Sequence, residues 1–196
     1  RTSEKSRMTR TIHELDIPGG RGTFALREVE PVADAPMVWS WWNAPHVKGK
    51  WSVEPRIAPV LGKGEVPSEQ TLHAYWKAAN DSEIFAIGSI DGVDMSYWEL
   101  YRVGDSALAG TKGLNDADRG VHFIFGEPSF LGRKLAQPLL AAVVGWQFED
   151  FPDAEHLVGE PSASNHDAVR VIGSHTGTQD RGEIDLAHKR ARLIIV

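Results

Sequence analysis

The chain has 196 residues, a formal net charge of -6 and no cysteine. That length suits one domain with a real core. The missing cysteine excludes a disulfide, a thiolate metal site and a cysteine nucleophile, and the acidic balance argues against a general nucleic-acid binder, which would show a basic face.

Residues 1–20 read as a flexible polar arm ending at Pro18-Gly19-Gly20, with Met8 as a candidate start, and residues 21–196 as a single domain. The polar, mixed-charge start does not read as a secretory leader, and no apolar run is long enough to span a membrane, so a cytoplasmic protein is expected. Thr23 to Glu28 alternates as a strand and Pro36 to Trp42 fits a short helix. Trp39, Trp41, Trp42 and Trp51 crowd into this stretch, more than a plain core needs, which suggests a flat-walled pocket. His46 to Gly64 reads as a loop. Ser68 caps an amphipathic helix with Leu72, Tyr75, Trp76 and Ala79 at helical spacing. Asp91-Gly92 between two apolar runs, Ile84 to Ile90 and Val93 to Tyr101, is a strong hairpin signal. After a polar connection over 104–119, Gly120 to Phe125 is a strand and Leu135 to Phe148 a helix. His156 to Glu160 is a short strand, Asn165 to Ile172 a helix stopped by Gly173, and two strands near Arg181 to Asp185 and Ala191 to Val196 close the chain. The strand–helix–strand crossover in the middle should be parallel and right-handed. The expected class is α/β, with one central mixed sheet flanked by helices.

The most informative segment is 120–140, GVHFIFGEPSFLGRKLAQPLL. An apolar strand carries one polar side chain, His122. A loop with a glycine and two bases, Leu131-Gly132-Arg133-Lys134-Leu135-Ala136, then opens into an apolar helix. Free backbone N–H groups at a helix N-terminus make an anion site. A histidine beside it is either a buried structural residue or a carrier of protons, its ordinary pKa lying near working pH. Glu160, ending the next strand, is either an exposed turn carboxylate or a group that orients the imidazole, should the two strands be neighbours. Asn43, His46 and Trp51 can close a helix and fill the core, or line a pocket; Glu99 and Tyr101 share one strand face and either grip an amine or meet solvent. The remaining histidines show no metal-ligand spacing, so no metal is expected. A G-x-S-x-G nucleophile elbow and a G-x-x-x-x-G-K-[ST] phosphate loop are both absent.

Element order and segment 131–136 resemble the Gcn5-related N-acetyltransferase (GNAT) superfamily, whose Q/R-x-x-G-x-G/A loop holds the pyrophosphate of acyl-coenzyme A. Leu131 stands for the first Gln/Arg, Lys134 for the first glycine, and Ala136 at the permitted last position. The chain also resembles, over roughly residues 22–196, the siderophore-biosynthetic acyltransferases within it. Trp42-Asn43-Ala44-Pro45-His46-Val47 followed by Trp51 matches their W-x-N-x-P-H-V-x-x-x-W signature, Tyr97 to Tyr101 their Y-x-E-x-Y strand, and Gly120-Val121-His122 their G-x-H. Glu160-Pro161 with Asn165 matches their acidic-Pro turn, and Gly182 to Leu186 with His188-Lys189-Arg190-Ala191 their closing strands.

The resemblance implies a GNAT fold with a splayed parallel strand pair and an N-acyltransferase that takes acetyl-CoA, or another short acyl-CoA, as co-substrate without a metal. Its acceptor would be a small amine or hydroxylamine, such as the hydroxylated side chain of N6-hydroxylysine. His122 would be the general base and Glu160 its orienter or a second base. The cofactor would be held by Phe123, Ile124 and Phe125 of the strand, by Leu131, Gly132, Arg133, Lys134, Leu135 and Ala136 of the loop, and by Asn165 and Arg170. The acceptor would meet Asn43, His46, Trp51, Glu99 and Tyr101. Two alternatives stand beside it: an aminoglycoside 6′-N-acetyltransferase-like enzyme, and a non-catalytic acyl-CoA-binding module. Neither nucleic acid nor membrane span is implied, and monomer and dimer both stay open.

Overall fold

Asp91 and Gly92 take φ of +50° and +79°, the two left-handed residues that a two-residue type I′ turn needs. They close a hairpin of β3 (Ile84–Ile90) and β4 (Val93–Arg102) in the middle of an eight-stranded sheet. The computed structural model describes residues 11–50, 68–78 and 82–196. Strand order is β1-β2-β3-β4-β5-β6-β8-β7, with β1 Thr11–Asp16, β2 Thr23–Glu28, β5 Arg119–Phe125, β6 Leu157–Gly159, β7 Gln179–Leu186 and β8 Lys189–Ile195. Among the described residues β5 and β6 form the single parallel pair, joined by helix α3 (Ala136–Asp150), as the middle crossover requires.

Within the stretch read as a loose arm, 1–20, Thr11–Asp16 forms β1. Thr11–Asp16 pairs antiparallel with β2. It is an edge strand whose side chains are mostly exposed, so it carries no alternation to read. Residues 1–10, Met8 among them, lie outside the described residues.

Helix α1 (Pro31–Asn43) begins five residues before the expected start at Pro36. Pro31 needs no N–H partner in the first turn. Asp34 fixes that turn: it accepts from the Glu30 N–H at 2.7 Å and from both Arg27 Nη atoms at 2.7 and 2.9 Å. Burial of Ala35, Val38, Trp41 and Trp42 against the sheet offsets the interior Pro36. Helix α2 (Glu69–Ala78) starts at Ser68, whose Oγ accepts from Thr71 N–H at 3.3 Å, and buries Leu72, Tyr75 and Trp76; Ala79 lies outside the described residues.

The sheet separates two cores. One face of β2–β5 (Leu26, Trp98, Leu100, Val121) packs on α3 through Leu139, Leu140 and Val143. The opposite face (Ile87, Tyr97, Ile124) packs on α1 and α2. Period-two alternation along β4 and β5 puts Glu99, Tyr101, Gly120 and His122 on this second face. Trp41 and Trp42 belong to that core, the Trp41 ring filling the space a Cβ on Gly126 would occupy. They pack in that core, and Trp51 lies outside the described residues. No helix among the described residues is long and apolar enough to cross a membrane.

Candidate active site

β5 and β6 stay together for two residue pairs only, Arg119↔Leu157 and Gly120↔Val158. Beyond them the strands part. The Arg119 N–H reaches His156 O at 3.0 Å, toward β6, whereas Gly126 N–H reaches Met95 O at 2.9 Å, toward β4. Alternation between these ends aims the backbone groups of Val121, Phe123 and Phe125 into the split and those of His122 and Ile124 at β4. The Phe125 carbonyl is taken by His46 Nε2 at 2.8 Å, and the Gly120↔Val158 pairing spends the Val121 N–H on Val158 O, which leaves the N–H groups of Phe123 and Phe125 as donors in the opening. A cavity of about 480 Å³ fills it. Val121, His122 and Phe123 form one wall, Pro161, Ser162 and Lys189 face them, and Asn165, Val171 and Ile172 of the following helix close the side. An open strand edge with unpaired amide groups suits an elongated ligand that carries amides of its own.

The cavity ends at Leu131 and Gly132. Here the chain turns twice through left-handed backbone, Gly132 at φ +73° and Lys134 at φ +55°. A Cβ on Gly132 would meet nothing within 4 Å, so the loop is open above it. Lys134 therefore holds, at the cost of strain, the conformation that glycine takes freely. Helix α3 starts without a side-chain cap and without an acidic residue in its first turn. Its free N–H groups, with the exposed Arg133 and Lys134 beside them, attract phosphate. Arg21 reaches across to this loop, its Nη1 donating to Lys134 O at 3.2 Å.

Glu160 follows β6 directly and meets His122 across the parallel pair: His122 Nε2 bonds Glu160 Oε1 in a short contact, and Nδ1 lies 3.4 Å from Glu99 Oε2. Glu160 is 2% exposed and Glu99 7%, so both carboxylates are buried and held by hydrogen bonds. Tyr101 Oη donates to Glu160 Oε2 at 2.5 Å; Tyr75 and Tyr97 hydroxyls each donate to Glu99 Oε1 at 2.8 Å; Trp76 Nε1 donates to Tyr97 Oη at 2.8 Å. Lys189 Nζ stands 3.5 Å from Glu160 Oε1. Burial alone would lower the pKa of His122, but the charge and hydrogen bond of Glu160, joined by Glu99, push it up to about 10. Burial alone would raise that of Glu160; the charges of His122 and Lys189, with bonds from His122 and Tyr101, hold it well below the usual carboxylate range. At neutral pH the pair is an imidazolium beside a carboxylate.

The expected site residues thus divide. His122, Phe123, Ile124, Phe125, Leu131, Gly132, Asn165 and His46 line one cavity, Ile124 through its side chain. Asn165 also caps helix α4 (His166–Gly173), accepting from Ala168 N–H at 3.3 Å. Leu135 is buried in the core and Ala136 begins α3, which leaves them only their backbones to offer. Glu99 and Tyr101 are buried behind the imidazole, bond its partners and are not among the residues that line this cavity. Asn43 donates to Trp39 O at 2.9 Å within its own helix, and Arg170, 75% exposed, pairs with Asp167 at 2.8 Å; neither lines the cavity. Lys189 was legible only as part of a matched closing strand, without a role.

A split strand pair, a basic loop at an uncapped helix N-terminus and a histidine held between carboxylates suit an acyltransferase. Residues 30–186 match the family model described as an acetyltransferase (GNAT) domain, and the chain belongs to that family. It is 33% identical over 187 residues to the lysine N-acyltransferase MbtK of Mycobacterium sp. (strain MCS), covering 94% of this chain and 71% of the relative. It is 26% identical over 178 residues to an Escherichia coli N(6)-hydroxylysine O-acetyltransferase, covering 91% of this chain and 53% of the relative. Its fold superposes on that of the aminoglycoside acetyltransferase AAC(6′)-Ib, solved with ribostamycin and coenzyme A, with a TM-score of 0.73 at 22% identity over 88% of this chain and 92% of that one. GNAT acetyltransferases bind acetyl-CoA, and the residues around the split fit such a group. Phe123 and Phe125 offer amide donors, and loop 131–136 with the α3 N-terminus offers an anion seat.

Proposed function

We propose that this chain transfers an acetyl or other short acyl group from acyl-CoA to the nitrogen of an N-hydroxylated diamine or amino-acid side chain, of the kind found in hydroxamate siderophores. The observation that carries the reading is the clamp on His122, an imidazolium between Glu99 and Glu160 at the mouth of the β5–β6 split.

The chemistry needs two proton movements. As the N–C bond forms and the C–S bond breaks, the leaving sulfur must gain a proton and the attacking nitrogen must lose one. A hydroxylamine nitrogen is less basic than an ordinary amine and reaches the site neutral, so no base is required before attack. His122 gives its proton to the sulfur and, once neutral, recovers one from the nitrogen. The expected general base therefore works as an acid first, because in the resting site it already holds a proton. Glu160 and Glu99 hold the ring and its charge. The N–H groups of Phe123 and Phe125 lie where charge on the thioester oxygen can be met.

The aminoglycoside alternative is less well supported. The charged side chains on the cavity wall are His122, Lys50, Lys189 and Asp167, and Asp167 is already paired with Arg170 at 2.8 Å and lies 3.9 Å from Lys50. A wall of that sign repels a polycation. Thiol release measured with N6-hydroxylysine, N5-hydroxyornithine, the plain diamines and a kanamycin-type aminoglycoside, each with acetyl-CoA, tests the reading. Turnover should be fastest with a hydroxylated side chain. Faster turnover with the aminoglycoside would replace the reading, and coenzyme binding without turnover on any amine would leave a binding module.

A further inference from the structure

Lys189 opens β8 and stands on the cavity wall opposite His122. Its side chain is only 9% exposed, and its one ion-pair partner among the described residues is Glu160, at 3.5 Å. That contact is at the limit of a hydrogen bond. The oxygen it approaches is already bonded to His122, and the other Glu160 oxygen is filled by Tyr101 at 2.5 Å. An ammonium carries three donors. One long contact leaves at least two of them without a partner among the described residues, on a side chain that lines the cavity, and a desolvated cation with spare donors is costly unless an anion arrives. The adjacent residue adds no charge. Both ring nitrogens of His188 are buried without a hydrogen-bond partner, and burial together with Lys189 holds its pKa below the ordinary value. The donors of Lys189 are therefore the ones this turn presents to a ligand. The phosphates have their own seat around 131–136, so the anion at Lys189 is a different one.

Resting on the acyl-transfer reading above, we propose that Lys189 receives a substrate carboxylate, so that one of the two substrates carries a free carboxyl group beside its reacting centre. Two sources share this chemistry: the α-carboxylate of an amino-acid acceptor, and the terminal carboxylate of a dicarboxylic acyl group on the coenzyme.

Titration calorimetry on the whole chain separates them in two arms. In one, the protein saturated with coenzyme A receives N6-hydroxylysine or its decarboxylated counterpart, N-hydroxycadaverine. In the other, the free protein receives succinyl-CoA or acetyl-CoA. Wild type should prefer the carboxylate-bearing member in one arm. Lys189→Met should weaken that member about 10- to 100-fold, the loss expected for one charge-assisted hydrogen-bonded pair, while its counterpart shifts less than about threefold. Lys189→Arg should keep the preference. Because Lys189→Met also disturbs Glu160, the ratio within an arm is the readout, and circular dichroism confirms that the variant is folded. Wild type without a carboxylate preference in either arm overturns the proposal, as does a Lys189→Met variant that changes both members of each arm equally. Failure of the acyl-transfer reading looks different: no thiol release with any acceptor, whichever ligand binds better.

Discussion

Gly120 lies against the ring of Tyr101. A Cβ at position 120 would sit 2.0 Å from Tyr101 Cζ and 2.4 Å from its hydroxyl oxygen. The two residues face each other in the β4–β5 register, two positions from the pair Glu99↔His122 and on the same face. The glycine of the G-x-H motif is therefore a packing requirement: it lets the phenol lie flat over the strand and reach Glu160. Gly120→Ala should displace the ring, destabilise the fold by about 1–3 kcal/mol and lower turnover. Tyr101→Phe keeps the ring and removes only the bond to Glu160. Urea unfolding and turnover of the two variants, compared, separate the packing from the hydrogen bond.

His122→Ala should reduce turnover by roughly a hundredfold or more while coenzyme A binding changes by less than about threefold. It should also cost about 3–5 kcal/mol of stability, because two buried carboxylates lose the cation between them. Turnover equal to wild type would remove the proton-transfer role. Unchanged stability would remove the clamp.

The clamp has a definite pH signature. The folded pKa of His122 lies above its ordinary value of 6.5, so its stabilisation is complete below that value and fades as pH rises toward about 10. The folded pKa of Glu160 lies below its ordinary value of 4.5, so its stabilisation is complete above that value and is lost as pH falls. Both contributions are full between 4.5 and 6.5. Unfolding free energy should fall from about pH 6 to about pH 9, and the difference between wild type and His122→Ala should shrink over the same interval.

Lys134 separates conformation from charge. Lys134→Gly relieves a left-handed non-glycine residue and should stabilise the fold by up to about 1 kcal/mol, whereas Lys134→Ala keeps the strain and should not. Both remove a cation from the phosphate loop, so both should weaken coenzyme A binding about two- to fivefold, more at low salt. Calorimetry at two ionic strengths, with thermal melts, checks both halves.

Local chemistry made much of this molecule legible from sequence. The hairpin at Asp91-Gly92, the helix at Ser68, the strand around His122 and the uncapped helix after it all follow from turn residues, caps and periodicity acting over a few positions. β1 escaped because an edge strand with exposed side chains on both faces has no hydrophobic alternation. The early start of α1 escaped because it rests on Arg27, a residue of another strand, gripping Asp34. Distance in sequence also hid half of the site. That Glu99 is buried behind the imidazole depends on the β4–β5 register and on tyrosines from α2 and β4, and that Lys189 reaches Glu160 depends on β8 lying beside β6. Neither is written in the spacing of residues along one strand.

The chemistry proposed for His122 requires the thioester to lie in the β5–β6 split. A crystal structure of the protein with acetyl-CoA or coenzyme A measures this directly. The pantetheine arm should lie between β5 and β6, bonded to backbone groups of Phe123 and Phe125, with the diphosphate over residues 131–136 and the sulfur beside His122. A coenzyme bound outside the split, or one whose sulfur lies far from the imidazole, would contradict it.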